Sequence, residues 1–147
     1  MNFITQVTLS VIIYFFLRVF LKDRRSSYIS SIVSSISYIF LYALSYGGIG
    51  NISDMHFIVT GLSLIFLFIA FYEMVSLEKK MLDVKKGEFD NLSSLSIEKG
   101  YKIVLKILGV GLLFLILSFL SGFIIQSVFT TNLIIKVIFA SIALFIY

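Results

Sequence analysis

Three residue types are missing from this chain of 147 residues: cysteine, proline and tryptophan. Without cysteine the chain has no disulfide, no thiol nucleophile and no thiolate ligand for a metal. Without proline, no helix can be kinked by a proline ring. Without tryptophan, an aromatic belt at a membrane interface must consist of tyrosine, and tyrosines do flank the apolar blocks.

Charge is also scarce, since only 14% of the residues are charged, against about 25% in a soluble domain. Hydrophobic residues make up 59% of the chain and the mean hydropathy is +1.06. A soluble fold of this size could not cover so much apolar surface. The composition therefore predicts a single domain in a bilayer. The apolar runs do not alternate with polar residues, which favours an all-α, polytopic transmembrane bundle over a barrel.

The apolar blocks predict five spanning helices. They cover residues 3–21, 28–46, 56–77, 103–125 and 132–147. The last block would form about 24 Å of helix, somewhat less than the roughly 30 Å of a hydrocarbon core. We therefore expect the natural chain to continue beyond Tyr147.

Lysine and arginine are confined to two of the four connections between these blocks. The connection after the first block contains Lys22, Arg24 and Arg25, and the charged run 78–102 contains Lys79, Lys80, Lys85, Lys86, Lys99 and Lys102. The other two connections contain neither residue type. The positive-inside rule then predicts a cytoplasmic loop at 78–102 and an N-terminus outside. We expect a multi-pass protein of the bacterial inner membrane.

Three charged residues lie within the blocks at similar depth, just below the cytoplasmic interface: Arg18, Glu73 and Lys106. An ionised group at the centre of a membrane helix costs roughly 2.5 to 3.5 kcal/mol, and less near its end. We expect Glu73 to pair with Arg18 or Lys106, within one chain or between subunits. In the alternative, each charge reaches the headgroups separately.

Hydroxyl groups recur every three or four residues on the second block, which places them on one helical face. They belong to Ser27, Ser31, Ser34, Tyr38, Tyr42 and Ser45. Such a face either packs closely against other helices or lines a pore. Lys136 on the fifth block likewise either reaches the headgroups or lines a polar cavity.

No residue set identifies a reaction. The chain has one histidine, His56, which with Asp54 is typical of a solvated helix start rather than a metal site. The sequence shows no phosphate-binding glycine loop and no paired catalytic carboxylates. We predict a protein that is not an enzyme, without cofactor or metal, and without direct contact to nucleic acid.

The charged run is much longer than the two to eight residues usual between bundle helices. Lys79, Lys80, Lys85, Lys86 and Phe89 could together form a docking surface for a cytosolic protein or bind anionic lipid. In the simplest alternative, the run is a solvated connector that sets the orientation.

The same run carries a resemblance. The paired lysines, followed by Glu98-Lys99-Gly100-Tyr101 at the entrance of a long apolar helix, resemble RexB-like phage-exclusion proteins and KwaA-like membrane subunits of the Kiwa antiphage system. The similarity covers residues 77–125. It implies a self-assembling inner-membrane protein of phage defence. A Kiwa-like protein would act with a soluble partner, whereas an exclusion-like protein would conduct ions.

These observations together predict a homo-oligomeric inner-membrane subunit of an antiphage system. It would sense membrane perturbation and dock or regulate a cytosolic partner through its charged loop. One alternative is an ion-conducting pore that depolarises the membrane. Another is a bacteriocin-immunity protein that binds a toxin within the bilayer.

Overall fold

The computed structural model describes residues 1–21, 26–85 and 93–125, together with the single positions Ile138 and Ile142. This part of the chain forms four helices: α1 (Phe3–Phe20), α2 (Ser26–Tyr46), α3 (Ile52–Lys85) and α4 (Ser93–Ile125). All four are long and apolar enough to cross a membrane. The all-helical class is confirmed, and the composition of the helices agrees with a membrane protein.

The predicted fifth helix at 132–147 lies outside the described residues, apart from Ile138 and Ile142. Several residues of the sequence predictions also lie outside them: Lys22, Arg24, Arg25, Lys86, Phe89 and Lys136. A bundle of five spans and an N-terminus outside therefore stay predictions.

Most of the charged run 78–102 is helical in the described structure. Helix α3 continues to Lys85 and α4 already begins at Ser93. On α3 the apolar stripe of Met74, Leu77 and Met81 extends beyond the predicted span at helical spacing. A change from apolar to charged composition marks the edge of the bilayer, but it does not end a helix.

Helix α3 is the centre of the described bundle. It packs against α1, α2 and α4, whereas α4 contacts α3 alone among the four helices. The most deeply buried large side chains include Tyr14 on α1, Tyr38 on α2 and Ile65 on α3. The core of the protein thus lies where α1, α2 and α3 meet.

Helices α3 and α4 form a long antiparallel pair. The rings of Phe66 and Phe114 stack with 5.8 Å between their centroids. Nearer the start of α3, the hydroxyls of Thr60 and Ser118 share a hydrogen bond. At the other end, the Leu77 side chain lies against Gly100, where a Cβ would overlap it. These contacts fix the register of the two helices over most of their length.

A short turn joins α2 to α3. Gly47 and Gly48 have φ angles of +73° and +128°, which side chains rarely tolerate. The amide of Gly48 donates to the carbonyl of Ala43 at 3.0 Å, which is the pattern of a Schellman C-cap. The Asp54 carboxylate accepts from the Asn51 amide at 3.1 Å and from the Tyr42 hydroxyl at 2.9 Å. This turn holds α2 antiparallel to α3.

Candidate functional site

Glu73 lies at the junction of α1, α2 and α3 and is 7% exposed. Its Oε1 atom accepts three hydrogen bonds: from the Tyr14 hydroxyl at 2.6 Å, from Arg18 Nε at 2.9 Å and from the Ser27 hydroxyl at 2.8 Å. A buried carboxylate is tolerated when donors and a cation surround it. We call Tyr14, Arg18, Ser27 and Glu73 the carboxylate cluster.

The local sequence explains why these donors converge. Tyr14 and Arg18 are four residues apart on α1, so that they share one helical face. Ser27 belongs to the first turn of α2, which begins soon after α1 ends. Both helix ends therefore lie beside Glu73. Hydrogen bonds to an ionised group are about twice as strong as neutral ones, so that the cluster ties three helices together at one end.

The structure brings together two of the three charged residues singled out in the sequence. Arg18 and Glu73 form an ion pair at 2.9 Å. Lys106 is exposed and makes no ion pair with Glu73. The register of α3 and α4 puts Lys106 near the depth of Glu73, but its side chain faces the outside of the bundle. Of the two cations expected near Glu73, Arg18 is therefore its partner within this chain.

The hydroxyl face of α2 is turned into the bundle. Five of its six members, Ser27, Ser31, Ser34, Tyr38 and Tyr42, are buried, and Ser45 is half-buried. The Ser34 hydroxyl donates to the carbonyl of Ser10 on α1 at 2.6 Å, and the Tyr38 hydroxyl donates to the carbonyl of Phe57 on α3 at 2.8 Å. This geometry favours the packing interpretation over a water-filled pore.

A polar stripe on α1 was not predicted from the sequence. Gln6, Ser10, Tyr14 and Arg18 follow one another at intervals of four residues, and the first three are fully buried. Their spacing is the signal that could have revealed them, because it places all four on one face. The stripe lies against the hydroxyl face of α2, as the bond from Ser34 to Ser10 shows.

Two buried polar atoms on these faces lack a hydrogen-bond partner among the described residues. They are Oε1 of Gln6 on α1 and Oγ of Ser30 on α2. The amide of Gln6 donates to the carbonyl of Met1 at 3.4 Å, so that only its oxygen is unsatisfied. Ser30 was not among the residues predicted for the hydroxyl face, although it is fully buried beside them.

The charged ends of α3 and α4 carry the predicted docking residues that the structure describes. Lys79, Lys80 and Lys85 are exposed on α3. On α4, Lys102 is exposed and forms an ion pair with Glu98 at 2.8 Å. The Tyr101 hydroxyl lies 3.7 Å from the sulfur of Met81, which joins the two ends. These residues line one end of the α3–α4 pair, which we call the lysine end.

The His56 side chain on α3 contacts α4 within the bundle. Its Nδ1 atom lies 2.9 Å from the Ser121 hydroxyl and 3.1 Å from the Ser118 carbonyl, both on α4. These contacts join the first turns of α3 to the last turns of α4. In the part of the chain that the structure describes, no three His, Asp or Glu side chains are placed to hold a metal ion.

Comparison of the chain with protein-family models, with curated proteins and with solved structures finds no match.

Proposed function

We propose that the chain is a membrane-embedded docking subunit of the bacterial inner membrane, which binds a cytosolic protein at its lysine end. The length of the α3–α4 pair carries this proposal. The two helices have 34 and 33 residues, which correspond to about 50 Å of helix each. A hydrocarbon core is roughly 30 Å thick, so that about 20 Å of each helix extends into the headgroups and beyond.

The lysine end is a preformed helical platform rather than a loose connector. Leu77 packs on Gly100 and Tyr101 lies against Met81, so that the two helices stay in contact beyond the apolar spans. A surface that is already ordered loses little conformational entropy when a partner binds. This order supports a docking surface over the alternative of a solvated connector.

The distance of the lysine end from the lipid favours a protein partner. Lys85 lies twelve residues beyond Glu73, or about 18 Å along the helix. The attraction of lysine to anionic lipid fades within a Debye length of about 8 Å. Lys79 and Lys80 lie closer to the headgroups, whereas Lys85 is placed to meet an acidic surface on a cytosolic protein.

The resemblance of residues 77–125 to the phage-exclusion and Kiwa membrane proteins supports two further parts of the proposal. The chain forms a homo-oligomer, and its docking serves antiphage defence. In this role the spanning helices respond to a perturbation of the membrane, and the lysine end transmits the response to the partner.

The test uses the chain expressed with its neighbouring genes. A triple variant, Lys79→Ala/Lys80→Ala/Lys85→Ala, removes charge from the lysine end, and the matched Lys→Arg triple retains it. We expect the alanine variant to release the soluble neighbouring gene product from the membrane fraction and to raise the phage plaque count. We expect the arginine variant to behave as wild type.

Retention of that soluble protein by the alanine triple would contradict docking at the lysine end. A plaque count that is unchanged when the whole chain is deleted would contradict the role in defence. Ion conductance of the purified protein in liposomes would instead favour the depolarising pore. Protection against a single bacteriocin, without either of the other signals, would favour an immunity protein.

A further inference from the structure

Two carboxylates mark opposite ends of the interface between α1, α2 and α3. Asp54 lies in the first turn of α3, and Glu73 belongs to the carboxylate cluster. They are nineteen residues apart on one helix, or about 28 Å. That separation is close to the roughly 30 Å of a hydrocarbon core. One acidic group therefore lies near each face of the apolar layer.

Buried polar side chains follow one another along the interface between these carboxylates. In order from Asp54 they are Tyr42, Tyr38, Gln6, Ser34 with Ser10, Ser30 and Tyr14, and each is at most 3% exposed. Hydrogen bonds anchor both ends, from Tyr42 to Asp54 at 2.9 Å and from Tyr14 to Glu73 at 2.6 Å. In the middle, Ser34 donates to the Ser10 carbonyl. We call this series the polar file.

Packing alone does not account for the whole polar file. Ser30 Oγ and Gln6 Oε1 are buried and have no partner among the described residues. A buried polar atom without a partner lowers stability, and alanine at position 30 would fill the same contact without that cost. Ionisable residues inside a membrane protein commonly mark pathways for ions or protons, and Asp54 and Glu73 stand at the two ends of this series.

We propose that the polar file conducts protons between Asp54 and Glu73. Asp54 takes up a proton from one side of the membrane. Each hydroxyl then accepts a proton on its oxygen and passes the proton it held to the next group, whereas the Gln6 amide accepts on Oε1, releases from Nε2 and returns to its amide form by the reverse exchange. The proton that arrives at Glu73 leaves to the opposite side of the membrane, which restores the carboxylate, so that none is gained or lost along the file. The proton gradient across the membrane drives the transfer.

The contacts of the polar file define what this transfer requires. The hydroxyls of Ser10, Ser34 and Tyr38 now donate to backbone carbonyls, so that each must rotate towards its neighbour before it passes a proton. A serine hydroxyl can donate and accept and rotates readily. Ser30, whose hydroxyl is held by no acceptor among the described residues, needs no bond to break before it turns.

The same packing selects protons over other ions. Tyr14 and Tyr38 are fully buried against their neighbours, which leaves no room for a hydrated cation between them. At the far end, the Arg18 cation balances the charge of Glu73. A proton moves by exchange between bonded groups and needs no open lumen. The polar file therefore differs from the wide pore considered as an alternative function.

Purified protein in liposomes tests this proposal without any partner, so that its outcome is independent of docking at the lysine end. An enclosed pH dye reports proton entry down an imposed gradient, with valinomycin and K⁺ present to dissipate the charge. We expect Ser30→Ala to lower the proton flux roughly tenfold without lowering the temperature of thermal unfolding in detergent, because its hydroxyl makes no bond to another described residue. Ser37→Ala is the matched control, since this exposed hydroxyl on the same helix bonds only to its own backbone.

Gln6→Met removes the amide at a similar side-chain volume and provides a second test. We expect this variant to reduce the proton flux as well. A wild-type flux equal to that of protein-free liposomes would overturn the proposal. A Ser30→Ala flux equal to that of Ser37→Ala would also overturn it, as would Na⁺ passing at a rate similar to that of protons.

Discussion

At the scale of single residues, Glu73 joins more of the structure than any other described charge. Its carboxylate accepts from Tyr14 and Arg18 on α1 and from Ser27 on α2. Each hydrogen bond to a buried ionised group contributes about 1.5 to 3 kcal/mol. The loss of this charge also leaves the guanidinium of Arg18 in a half-buried position without its carboxylate.

We predict that Glu73→Gln lowers the free energy of unfolding by about 2 kcal/mol, because the amide cannot balance the Arg18 cation. The measurement is unfolding in mixed detergent and SDS micelles, followed by circular dichroism. Glu78→Gln is the control, since that carboxylate is exposed on the same helix. A double variant with Arg18→Met should lose less than the sum of the two single changes. Equal unfolding of Glu73→Gln and Glu78→Gln would contradict the role of the carboxylate cluster.

The sequence reveals part of this cluster but not all of it. Charges at equal depth suggested that Glu73 would meet Arg18 or Lys106, and the structure shows Arg18. Depth follows from counting residues along a helix, whereas the direction of a side chain depends on how the helices rotate about their axes. That rotation comes from packing between helices, which no single segment specifies. Tyr14 was missed for a related reason, since a tyrosine in an apolar run looks like an ordinary packing residue.

At the scale of helices, the Tyr38 ring on α2 lies directly against Gly61 on α3. A Cβ at Gly61 would overlap the Tyr38 ring. The ring is fully buried, and its hydroxyl donates to the Phe57 carbonyl at 2.8 Å. The ring therefore cannot move aside without losing that bond. Small residues at helix interfaces allow such contacts in membranes.

We predict that Gly61→Ala destabilises the protein by about 1 to 3 kcal/mol, through overpacking against the Tyr38 ring. Thermal unfolding in detergent measures this loss. Gly109→Ala is the matched control on α4, because a Cβ there meets nothing within 4 Å among the described residues. Adding Tyr38→Leu to Gly61→Ala should restore part of the stability. If Gly61→Ala unfolds at the same temperature as Gly109→Ala, α2 and α3 can move apart without cost, which would contradict the predicted overpacking.

Helix ends are easier to predict where the chain supplies a stop than where only charge increases. The glycine turn after Tyr46 ends α2 at the predicted residue. The predicted entrance to the fourth span at 103 instead lies within α4, which begins at Ser93. Hydropathy locates the apolar layer, and a helix can continue through its edge when an i, i+4 pair such as Glu98 and Lys102 supports it.

At the scale of the whole molecule, the orientation in the membrane decides which surface meets the cytosol. The turn between α2 and α3 contains no lysine or arginine, whereas the opposite end of α3 carries Lys79, Lys80 and Lys85. The structure places these two regions at opposite ends of one helix. The asymmetry of positive charge therefore predicts which end faces inward.

We predict that Gly50→Cys reacts with a membrane-impermeant maleimide in intact spheroplasts, and that Lys85→Cys reacts only after the cells are opened. Both positions suit the experiment, because a Cβ at Gly50 meets nothing within 4 Å and Lys85 is exposed. The chain contains no cysteine, so that no background reaction arises from the protein itself. Labelling with the reverse pattern would invert the topology and remove the lysine end from the cytosol.

The membrane class follows from composition alone, since hydropathy integrates over the whole chain. The number of spans and the arrangement of the helices do not follow from it in the same way. Helix α3 lies at the centre of the described bundle, yet its apolar composition resembles that of α4, which contacts α3 alone. Which apolar helix is surrounded by others depends on the polar contacts between them, such as those at Glu73 and Tyr38.

The ion pair between Arg18 and Glu73 has a consequence for how the protein is made. The two residues are separated by 55 positions, which a ribosome translates in roughly 3 to 11 seconds. During this interval Arg18 exists without its acidic counterpart. We therefore expect the ion pair to form only after α3 has been synthesised, so that α1 takes its final place in the bundle after translation of the third helix.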